Sequence, residues 1–461
     1  MLLGIFEHLR PNHGMPTWHR EHHREGYDTF DYWTTLGRML DEAGFDFLFL
    51  ADSYGYPLVD GVMPDEVARL GIQFPGYDPM FYAAAVAAAT RDLGIVVTSS
   101  TMVEAPYATA RRFATLDRVS GGRVGWNVVT GSSQASVAKL FGHGEMTAHD
   151  DRYAIADEFV DVAVALWEST WEDDALRKDV ETRVYIDPAR LHPLDHHGAH
   201  FDVEGVLSIP PTPQRTPVLF QAGTSDRGRD FAARNAEAVF VQGRTIPTAR
   251  GITDDIRARA VAQGRAADDI RIVSGATVVV GRTEREALEK REEFLSIRDL
   301  DAAAVIYAGY TGIDLRAYDP DAPLPVTSTE QGQSALNRYL VPGRPVPTPR
   351  EILTDFQEKS GRGFQIWGTP EQVADELVAT LADSGLDGYM LEPTVGSIDA
   401  YRDFIELVLP ILRERGAVPP PEHGRTLRER LFPGRGPRLG AQHPIVAAAR
   451  AVADGANAPA L

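Results

Sequence analysis

Short apolar runs alternate along the chain with longer stretches of helical periodicity. The runs are rich in Val, Ile and Phe, as expected for strands that are buried on both faces of a parallel sheet. Strands alternating with helices in this way indicate repeated βα units. Eight strands are predicted: Leu2–His8, Asp46–Asp52, Gly94–Ser99, Arg123–Thr130, Pro217–Ala222, Ala238–Gln242, Ile270–Val280 and Gly388–Glu392.

Helices are predicted between these strands. The fourth shows the clearest pattern, because Ile155, Phe159 and Val162 recur at helical spacing, and Thr147 to Asp150 predicts a capping box at its start. The predicted helices are Tyr32–Glu42, Met80–Thr90, Tyr107–Arg118, Ala148–Glu168, Gly228–Asn235, Thr283–Phe294, Pro370–Ser384 and Ile398–Arg415.

Eight βα units favour one α/β fold, a closed (β/α)8 TIM barrel, over an open doubly wound sheet. An open sheet of that kind usually has a glycine fingerprint after its first strand, and no Gly-x-Gly-x-x-Gly follows strand one here. We expect the barrel to span residues 1–416, with long insertions at about 171–216 and 299–363, and a Pro/Gly/Arg-rich tail at 417–461. Loops of this length usually serve as lids or subunit contacts.

The overall charge argues against two classes of partner. With 46 basic and 66 acidic residues the chain carries a net charge of −20, spread along its length, so we expect binding neither to nucleic acid nor to anionic membranes. The absence of cysteine excludes disulfides and thiolate chemistry. Since no basic leader precedes an apolar stretch at the N-terminus, and Met80–Ala89 is too short to span a bilayer, we expect a cytoplasmic protein.

The carboxyl ends of the first five strands are polar. In a (β/α)8 barrel these ends converge on one mouth, where the active site lies. One polar strand end means little by itself, but five in succession indicate a site. The residues are Glu7-His8, Asp52-Ser53, Thr98-Ser99-Ser100, Asn127 with Thr130, and Gly223-Thr224-Ser225.

Three features of these strand ends suit a phosphorylated, flat ligand. The segment Gln221–Gly228 is a small-residue turn that opens a helix, where backbone N–H groups can hold a phosphate, although such turns often serve only as helix caps. His149 and Tyr153 are four residues apart and share one helix face. Asn127 offers a donor and an acceptor that would suit the pyrimidine edge of a flavin, or a backbone partner.

Other chemistries fit the sequence less well. The histidine clusters have ligand-like spacing, but they lie in predicted loops without a His-Glu-x-x-His frame, so we expect no metal. Ser225 lacks the Gly-x-Ser-x-Gly elbow of a hydrolase nucleophile. The clustered histidines are His19, His22 and His23, and His192, His196, His197 and His200.

Several segments in fixed order resemble the bacterial-luciferase-like flavin monooxygenases, and within them the family of nitrilotriacetate monooxygenase component A and dibenzothiophene sulfone monooxygenase. The most specific are Gly-Gly-Arg-Val-Gly-Trp-Asn-Val-Val-Thr at 121–130 and Gln-Ala-Gly-Thr-Ser at 221–225. Phe-Leu-Phe-Leu-Ala-Asp at 47–52 and His-Asp-Asp-Arg-Tyr at 149–153 support them. The resemblance covers nearly the whole chain except the last few dozen residues.

This resemblance implies a two-component monooxygenase. Reduced FMN from a separate NAD(P)H:flavin reductase would react with O2 to a flavin C4a-(hydro)peroxide, which oxidises a C–N, C–S or similar bond of a small organic substrate. The resemblance also implies a homodimer or homotetramer. It puts Asp52 and Thr98 near the flavin ring, His149 and Tyr153 at the rim, and Ser225 at the phosphate.

We add Asn127 and Thr224 to the predicted cofactor-binding residues. His149 is the predicted acid or base, because imidazole titrates near neutral pH, and His8 and His13 are reserve candidates. Two alternatives remain open: a deazaflavin-dependent oxidoreductase with the same fold, and a non-catalytic flavin-binding protein. Arginines in the insertions could suit a carboxylate or sulfonate substrate, although solvated arginines are commoner.

Overall fold

Eight parallel strands close into a barrel. The structure, a computed structural model, describes residues 1–11, 26–131, 134–142, 147–223, 225–297, 299–326, 328–329, 332–341, 343–359, 363–392, 394 and 398–453. Its strands are β1 (Leu2–His8), β2 (Phe47–Ala51), β3 (Gly94–Ser100), β4 (Val124–Val129), β5 (Leu176–Asp179), β6 (Val184–Ile186), β7 (Leu194–His197), β8 (Asp202–Gly205), β9 (Val218–Gln221), β10 (Ala238–Val241), β11 (Arg271–Val280), β12 (Phe364–Gly368) and β13 (Gly388–Glu392).

The barrel order is β1-β2-β3-β4-β9-β10-β11-β13, and β13 pairs in parallel with β1 to close the ring. All eight predicted strands are present, and the predicted (β/α)8 TIM barrel is confirmed. Aromatic rings fill the interior: Phe6 stacks on Phe49 and on Phe240, with ring centroids 5.4 and 5.1 Å apart. The barrel is therefore a packed core with an open polar end.

The helices that surround the barrel agree closely with the sequence pattern. Each predicted helix is present, with ends moved by at most two residues. The helices are α1 (Phe30–Glu42), α2 (Asp65–Leu70), α3 (Pro79–Ala89), α4 (Pro106–Ser120), α5 (Gln134–Leu140), α6 (His149–Glu168), α7 (Asp226–Asn235), α8 (Ile246–Ala262), α9 (Glu284–Ser296), α10 (Leu300–Thr311), α11 (Gln333–Asn337), α12 (Pro349–Lys359), α13 (Pro370–Ser384), α14 (Asp399–Asp403), α15 (Leu409–Glu414), α16 (Leu427–Leu431) and α17 (Pro444–Ala453). A π-helical turn, Phe404–Val408, joins α14 to α15.

Three local features differ from the prediction. The capping box predicted at α6 was wrong, because the N-cap residue is Ala148, whose side chain cannot accept a hydrogen bond, and Thr147 lies one position before it. The pattern also missed α8, the crossover helix between β10 and β11. It missed β12 as well, which pairs with Ala276–Val280, the second half of the long strand β11, and so lies outside the ring of eight.

The two long segments outside the repeat have structure of their own. Residues 171–216 contain two antiparallel hairpins, β5–β6 and β7–β8. Residues 299–359 contain α10, α11 and α12, which pack with α2 around a separate apolar cluster that includes Val67, Tyr307 and Phe356. Because α10 also meets the loop after β2, where Gly309 lies against Pro57, this second cluster lies beside the carboxyl ends of the barrel strands.

Helix α16 closes the opposite end of the barrel. Leu427 and Leu431 of α16 are buried with Phe47, Ala238 and Val218, which begin barrel strands. Arg428 is only 2 % exposed and forms an ion pair with Glu237, with Nε and Nη2 2.7 and 2.8 Å from the carboxylate oxygens. In the described part of the chain no helix has the length and apolar composition needed to cross a membrane.

Candidate functional site

Thr98 and Asn127 lie side by side at the polar end of the barrel. They occupy paired positions in the register of β3 and β4, and both are buried. The Asn127 amide nitrogen donates to Thr98 Oγ1 over 2.9 Å. The amide oxygen, Oδ1, is buried and has no hydrogen-bond partner among the described residues. Since a buried acceptor without a partner is costly, this oxygen is a candidate contact for a ligand.

A small pocket opens beside this pair. It lies between the ends of β2, β3 and β4 and the helix α5. Its lining is formed by Asp52, Ser53, Tyr54, Thr98, Ser100, Val129, Gly131 and Val137.

Asp52 carries the perturbed carboxylate of this cavity. Burial raises its pKa to about 6, and the nearby Arg10 guanidinium, 3.9 Å away, and a 2.7 Å hydrogen bond from the Ser53 backbone N–H act against that rise. Arg10 is itself buried, and it donates to the Ser53 carbonyl over 2.8 Å. Asp52 can therefore hold or release a proton close to neutral pH.

His149, Tyr153 and Ser225 form a second group where α6 and α7 begin. Ser225 is the N-cap of α7, and its Oγ accepts a 3.1 Å hydrogen bond from the Gly228 N–H. His149 Nε2 lies 3.4 Å from the same Oγ, and its ring centroid lies 5.2 Å from that of Tyr153. Burial raises the pKa of Tyr153, while side-chain hydrogen bonds with Ser225 and Thr130 lower it.

Two glycines, one before α7 and one in its first turn, allow the Tyr153 hydroxyl to approach the backbone closely. A Cβ atom at Gly223 or at Gly228 would lie 2.7 Å from the Tyr153 hydroxyl, which is closer than real Cβ contacts allow. Arg227 adds a positive charge, with its guanidinium 5.4 Å from the centre of the Tyr153 ring and paired with Asp157. Hydroxyls, a helix N-terminus and a cation therefore converge, as in phosphate sites.

The short segment Val129–Gly131 connects the two groups. Val129 and Gly131 line the cavity beside Asp52 and Thr98, and Thr130 between them hydrogen-bonds to Tyr153. The structure thus brings six of the predicted residues to one end of the barrel: Asp52, Thr98, Asn127, His149, Tyr153 and Ser225.

The other predicted residues are placed differently. His8 ends β1 next to Ala51, and its ring packs edge-on against Phe6 at 5.1 Å, so it does not line the cavity. His13 and Thr224 lie outside the described residues, as do His19, His22 and His23.

Sequence reasoning missed several side chains near the cavity. Arg10 and Tyr54 follow β1 and β2 by two and three residues, and Glu104 follows β3 by four. The Tyr54 hydroxyl donates to Glu104, which also pairs with Arg112. Burial, and then this bond to Glu104, raises the pKa of Tyr54. The signal that could have found these groups is a polar or charged residue a few positions beyond a strand end.

Three histidines of the first insertion, His192, His196 and His197, lie against carboxylates. His192 Nε2 lies 3.0 Å from Glu172, and His196 Nε2 lies 3.1 Å from Glu158. On the exposed hairpin β7–β8, His197 lies among carboxylates, and the hydrogen bond to Asp202 raises its pKa. One group in the described ranges has metal-ligand spacing, Asp195, His197 and Glu204, and all three of its members are exposed.

Comparison with known proteins identifies the family. Residues 13–388 match the family model described as luciferase-like monooxygenase. The chain belongs to the luciferase-like monooxygenase family. It is 39% identical over 419 residues to long-chain alkane monooxygenase of Geobacillus thermodenitrificans (strain NG80-2), covering 91% of this chain and 90% of that protein. It is 34% identical over 412 residues to nitrilotriacetate monooxygenase component A of Aminobacter aminovorans, covering 87% and 89%.

A solved structure agrees over nearly the whole length. Riboflavin lyase, crystallised with modified FMN and its substrate riboflavin, superposes with a TM-score of 0.91 at 42% identity, covering 97% of this chain and 99% of that one. The predicted family is thus confirmed, and this luciferase-like protein is a flavin monooxygenase. The long insertions and most of the C-terminal segment are shared with that structure, since the match covers almost all residues.

Proposed function

We propose that this luciferase-like monooxygenase binds reduced FMN at the barrel mouth and uses O2 to oxidise a C–N, C–S or similar bond of a small organic molecule. The observation that carries the proposal is the linkage, through Val129–Gly131, of a polar cavity to a glycine-bordered helix start. One half suits a heteroaromatic ring edge and the other a phosphate, and FMN has both.

The residues present fit the phosphate of FMN. Ser225 and Tyr153 offer hydroxyls, the N-terminus of α7 offers backbone N–H groups, and Arg227 offers a compensating charge. Glycine at 223 and 228 allows the Tyr153 hydroxyl to lie directly against the backbone at the start of α7, beside these N–H groups.

The residues present also fit the ring edge. Asn127 Oδ1 is a buried acceptor that no described residue satisfies, and it is positioned by the bond from its own amide nitrogen to Thr98. An acceptor beside hydroxyl groups complements the alternating N–H and C=O groups of a pyrimidine edge. The deep position of Thr98 and Asn127 also keeps bulk water from this edge.

We assign proton transfer to Asp52 and phosphate recognition to His149. When bound, reduced FMN supplies the electrons that activate O2. Asp52 lines the cavity and can hold a proton up to about pH 6, so it is positioned to exchange a proton at the ring edge. His149 contacts Ser225 at the other end, so we assign it to the rim of the phosphate site.

We further propose that a separate NAD(P)H:flavin reductase delivers the reduced FMN in the cytoplasm, and that the enzyme acts as a homodimer or homotetramer. Nitrilotriacetate monooxygenase component A is by its name one component of a system, which supports a division of the reductive and oxidative steps.

The test is a binding and oxygen-consumption experiment on the full-length protein. The double variant Ser225→Ala with Tyr153→Phe should bind reduced FMN at least about tenfold more weakly, because two hydrogen bonds to a charged group are lost. The matched control, Ser208→Ala with Tyr185→Phe, changes exposed residues and should bind like the parent. Equal affinity of all three proteins would remove the phosphate assignment.

Oxygen consumption and product formation by the parent protein distinguish the proposed activity from the two alternatives, a deazaflavin-dependent enzyme and a non-catalytic flavin-binding protein. Reduced FMN in air should be reoxidised with a rate and product yield that depend on the enzyme and a substrate, measured by oxygen consumption across amines, sulfones and alkanes. A deazaflavin enzyme would instead transfer hydride from the reduced deazaflavin without consuming O2. A flavin-binding protein without activity would bind FMN and form no product with any compound.

A further inference from the structure

A pair of arginines with one carboxylate lies between the barrel mouth and the second insertion. Arg244 follows β10 by three residues, and Arg338 follows α11. Arg244 Nη1 donates to Asp355 Oδ2 of α12 over 2.9 Å, and the Tyr339 hydroxyl donates to the same oxygen over 3.0 Å. The insertion is thereby tied to the loop after the sixth barrel strand.

The donors of this arginine pair are only partly used. Arg244 Nε and Nη2 are buried and have no acceptor in the described part of the chain. Arg338 is exposed, and within the same ranges its guanidinium pairs with no carboxylate or carbonyl. Arg338 is therefore a cation whose donors a ligand can reach.

Among the described residues, two arginines and one carboxylate lie together here in a strongly acidic protein. The surrounding protein lowers the pKa of Arg338, first by desolvation and then by the charge of Arg244. Arg244 is paired with Asp355, whereas Arg338 has no carboxylate partner among the described residues, although the whole chain carries a net charge of −20. Two like charges held close together repel each other unless an anion joins them.

The position of the pair points to the substrate side of the site. Tyr310 lies close enough to both Arg10 and Arg338 to raise the pKa of each, and Arg10 is 3.9 Å from Asp52 in the cavity lining. The proposed phosphate site, with His149, Tyr153 and Ser225, is formed instead by α6 and the start of α7. Arg338 and Arg244 belong to other segments, those that follow β10 and α11.

We propose that Arg338, with the charge of Arg244 beside it, binds an anionic group of the substrate, a carboxylate, sulfonate or phosphate monoester. The inference rests on the proposed function, because it assumes that the organic substrate enters at the same mouth. A planar guanidinium matches the two oxygens of such groups in bidentate geometry. The preferred substrates are then small organic acids rather than neutral hydrocarbons.

The experiment compares three acids with a neutral analogue. Benzoate, benzenesulfonate and phenyl phosphate, with benzyl alcohol as the neutral probe, are titrated calorimetrically into the full-length enzyme with FMN present. For at least one acid, Arg338→Gln should weaken binding about tenfold or more, the size of one lost charged hydrogen bond. Arg338→Lys, which keeps the charge, should recover part of the affinity. Arg344→Gln, an exposed arginine of the same insertion, is the matched control and should match the parent.

Three results would overturn the inference. One is equal acid affinity in the parent and Arg338→Gln. The second is parent binding of benzyl alcohol as tight as that of every acid, which includes the case in which no acid binds. The third is a loss of FMN affinity but not of riboflavin affinity in Arg338→Gln, because the arginine would then serve the flavin phosphate. Failure of the parent to bind FMN at all would be a separate result, against the proposed function.

Discussion

Asp52 illustrates what burial does to a single functional residue. Its side chain is only 15 % exposed, so the charged form loses solvation, and the pKa rises to about 6 despite the nearby Arg10. The same burial that makes the carboxylate a useful proton holder near neutral pH therefore costs folding free energy whenever the group is ionised. A functional residue of this kind trades stability for chemistry.

The pH dependence of stability should reveal this cost. The pKa of Asp52 is raised on folding from 3.8 to about 6, so its contribution to the free energy of unfolding is fully present below the lower of these two values. That contribution is lost as the pH rises through about 6. Asp52→Asn removes this titrating group. The free energy of unfolding of the variant, taken relative to that of the parent, should therefore be about 1–3 kcal/mol higher at about pH 8 than at about pH 4.

Urea unfolding of both proteins between about pH 4 and about pH 8 measures this difference. Asp383→Asn, which changes an exposed carboxylate, serves as the control and should show no such trend. A constant difference between Asp52→Asn and the parent across the range would contradict the assignment of a raised pKa to Asp52.

Among the secondary-structure elements, the start of α7 has to form a helix and also leave room for two neighbouring hydroxyl groups. A helix prefers alanine to glycine in its first turns, yet Gly228 stands where a Cβ would press on the Tyr153 hydroxyl at 2.7 Å and on Ser225 Oγ at 3.0 Å. The glycine thus makes room for these two hydroxyls at a cost in helix stability. In α8, no described atom would lie within 4 Å of a Cβ at Gly251, so there the glycine serves no packing need.

These two glycines provide a matched pair of variants. Gly228→Ala should weaken FMN binding by about tenfold or more, because the methyl group displaces the hydroxyls that hold the phosphate. Gly251→Ala should leave FMN binding unchanged and raise the free energy of unfolding by up to about 1 kcal/mol, the difference in helix propensity. FMN titration and urea unfolding measure both effects. Unchanged FMN affinity in Gly228→Ala would contradict the assignment of the phosphate site to the start of α7.

Across the complete fold, the two ends of the barrel have different tasks. The carboxyl ends of the strands carry the polar cavity, and the amino ends are covered by α16, with Leu427, Leu431 and the buried pair of Arg428 and Glu237. Arg428 also donates to the Thr216 carbonyl over 2.9 Å. Helix α16 is therefore part of the barrel core, at the end away from the site.

Breaking this buried pair should destabilise the fold without changing the site. Arg428→Met leaves Glu237 buried without its partner, and we expect a loss of about 3–5 kcal/mol in the free energy of unfolding. Replacing both residues, Arg428→Met with Glu237→Gln, should cost less than the sum of the single changes. Arg285→Gln, in an exposed pair 3.7 Å from Glu289, should cost under about 1 kcal/mol.

FMN affinity of the folded Arg428→Met protein is the second measurement. It should equal that of the parent, because the pair lies at the opposite end of the barrel. A stability loss no larger than that of Arg285→Gln would show that α16 is dispensable, contrary to its burial in the structure.

The barrel and the strand ends that form its mouth follow from the amino-acid pattern alone. Buried parallel strands require continuous apolar runs, so β1 to β4 and the later barrel strands are evident from local composition. The helix α8 is not, because the positions it buries include Ala249, Thr253 and Ala260, which are small or polar and leave only a faint apolar stripe. The short strand β12 has the same difficulty, with Gln365 and Trp367 among its five residues.

Which polar residues meet at the mouth depends on the packing of distant segments. Asp52, Asn127 and Tyr153 could be predicted because each lies near a strand end or near the start of a helix, positions that a (β/α)8 barrel places at its mouth. Arg10, Tyr54 and Arg338 lie in connecting segments whose path has no period, so their neighbours are set by contacts far apart in the sequence. The local pattern of apolar and polar residues determines which positions are buried. Which charged side chains surround the site is decided only by the tertiary structure, because they come from segments far apart in the sequence.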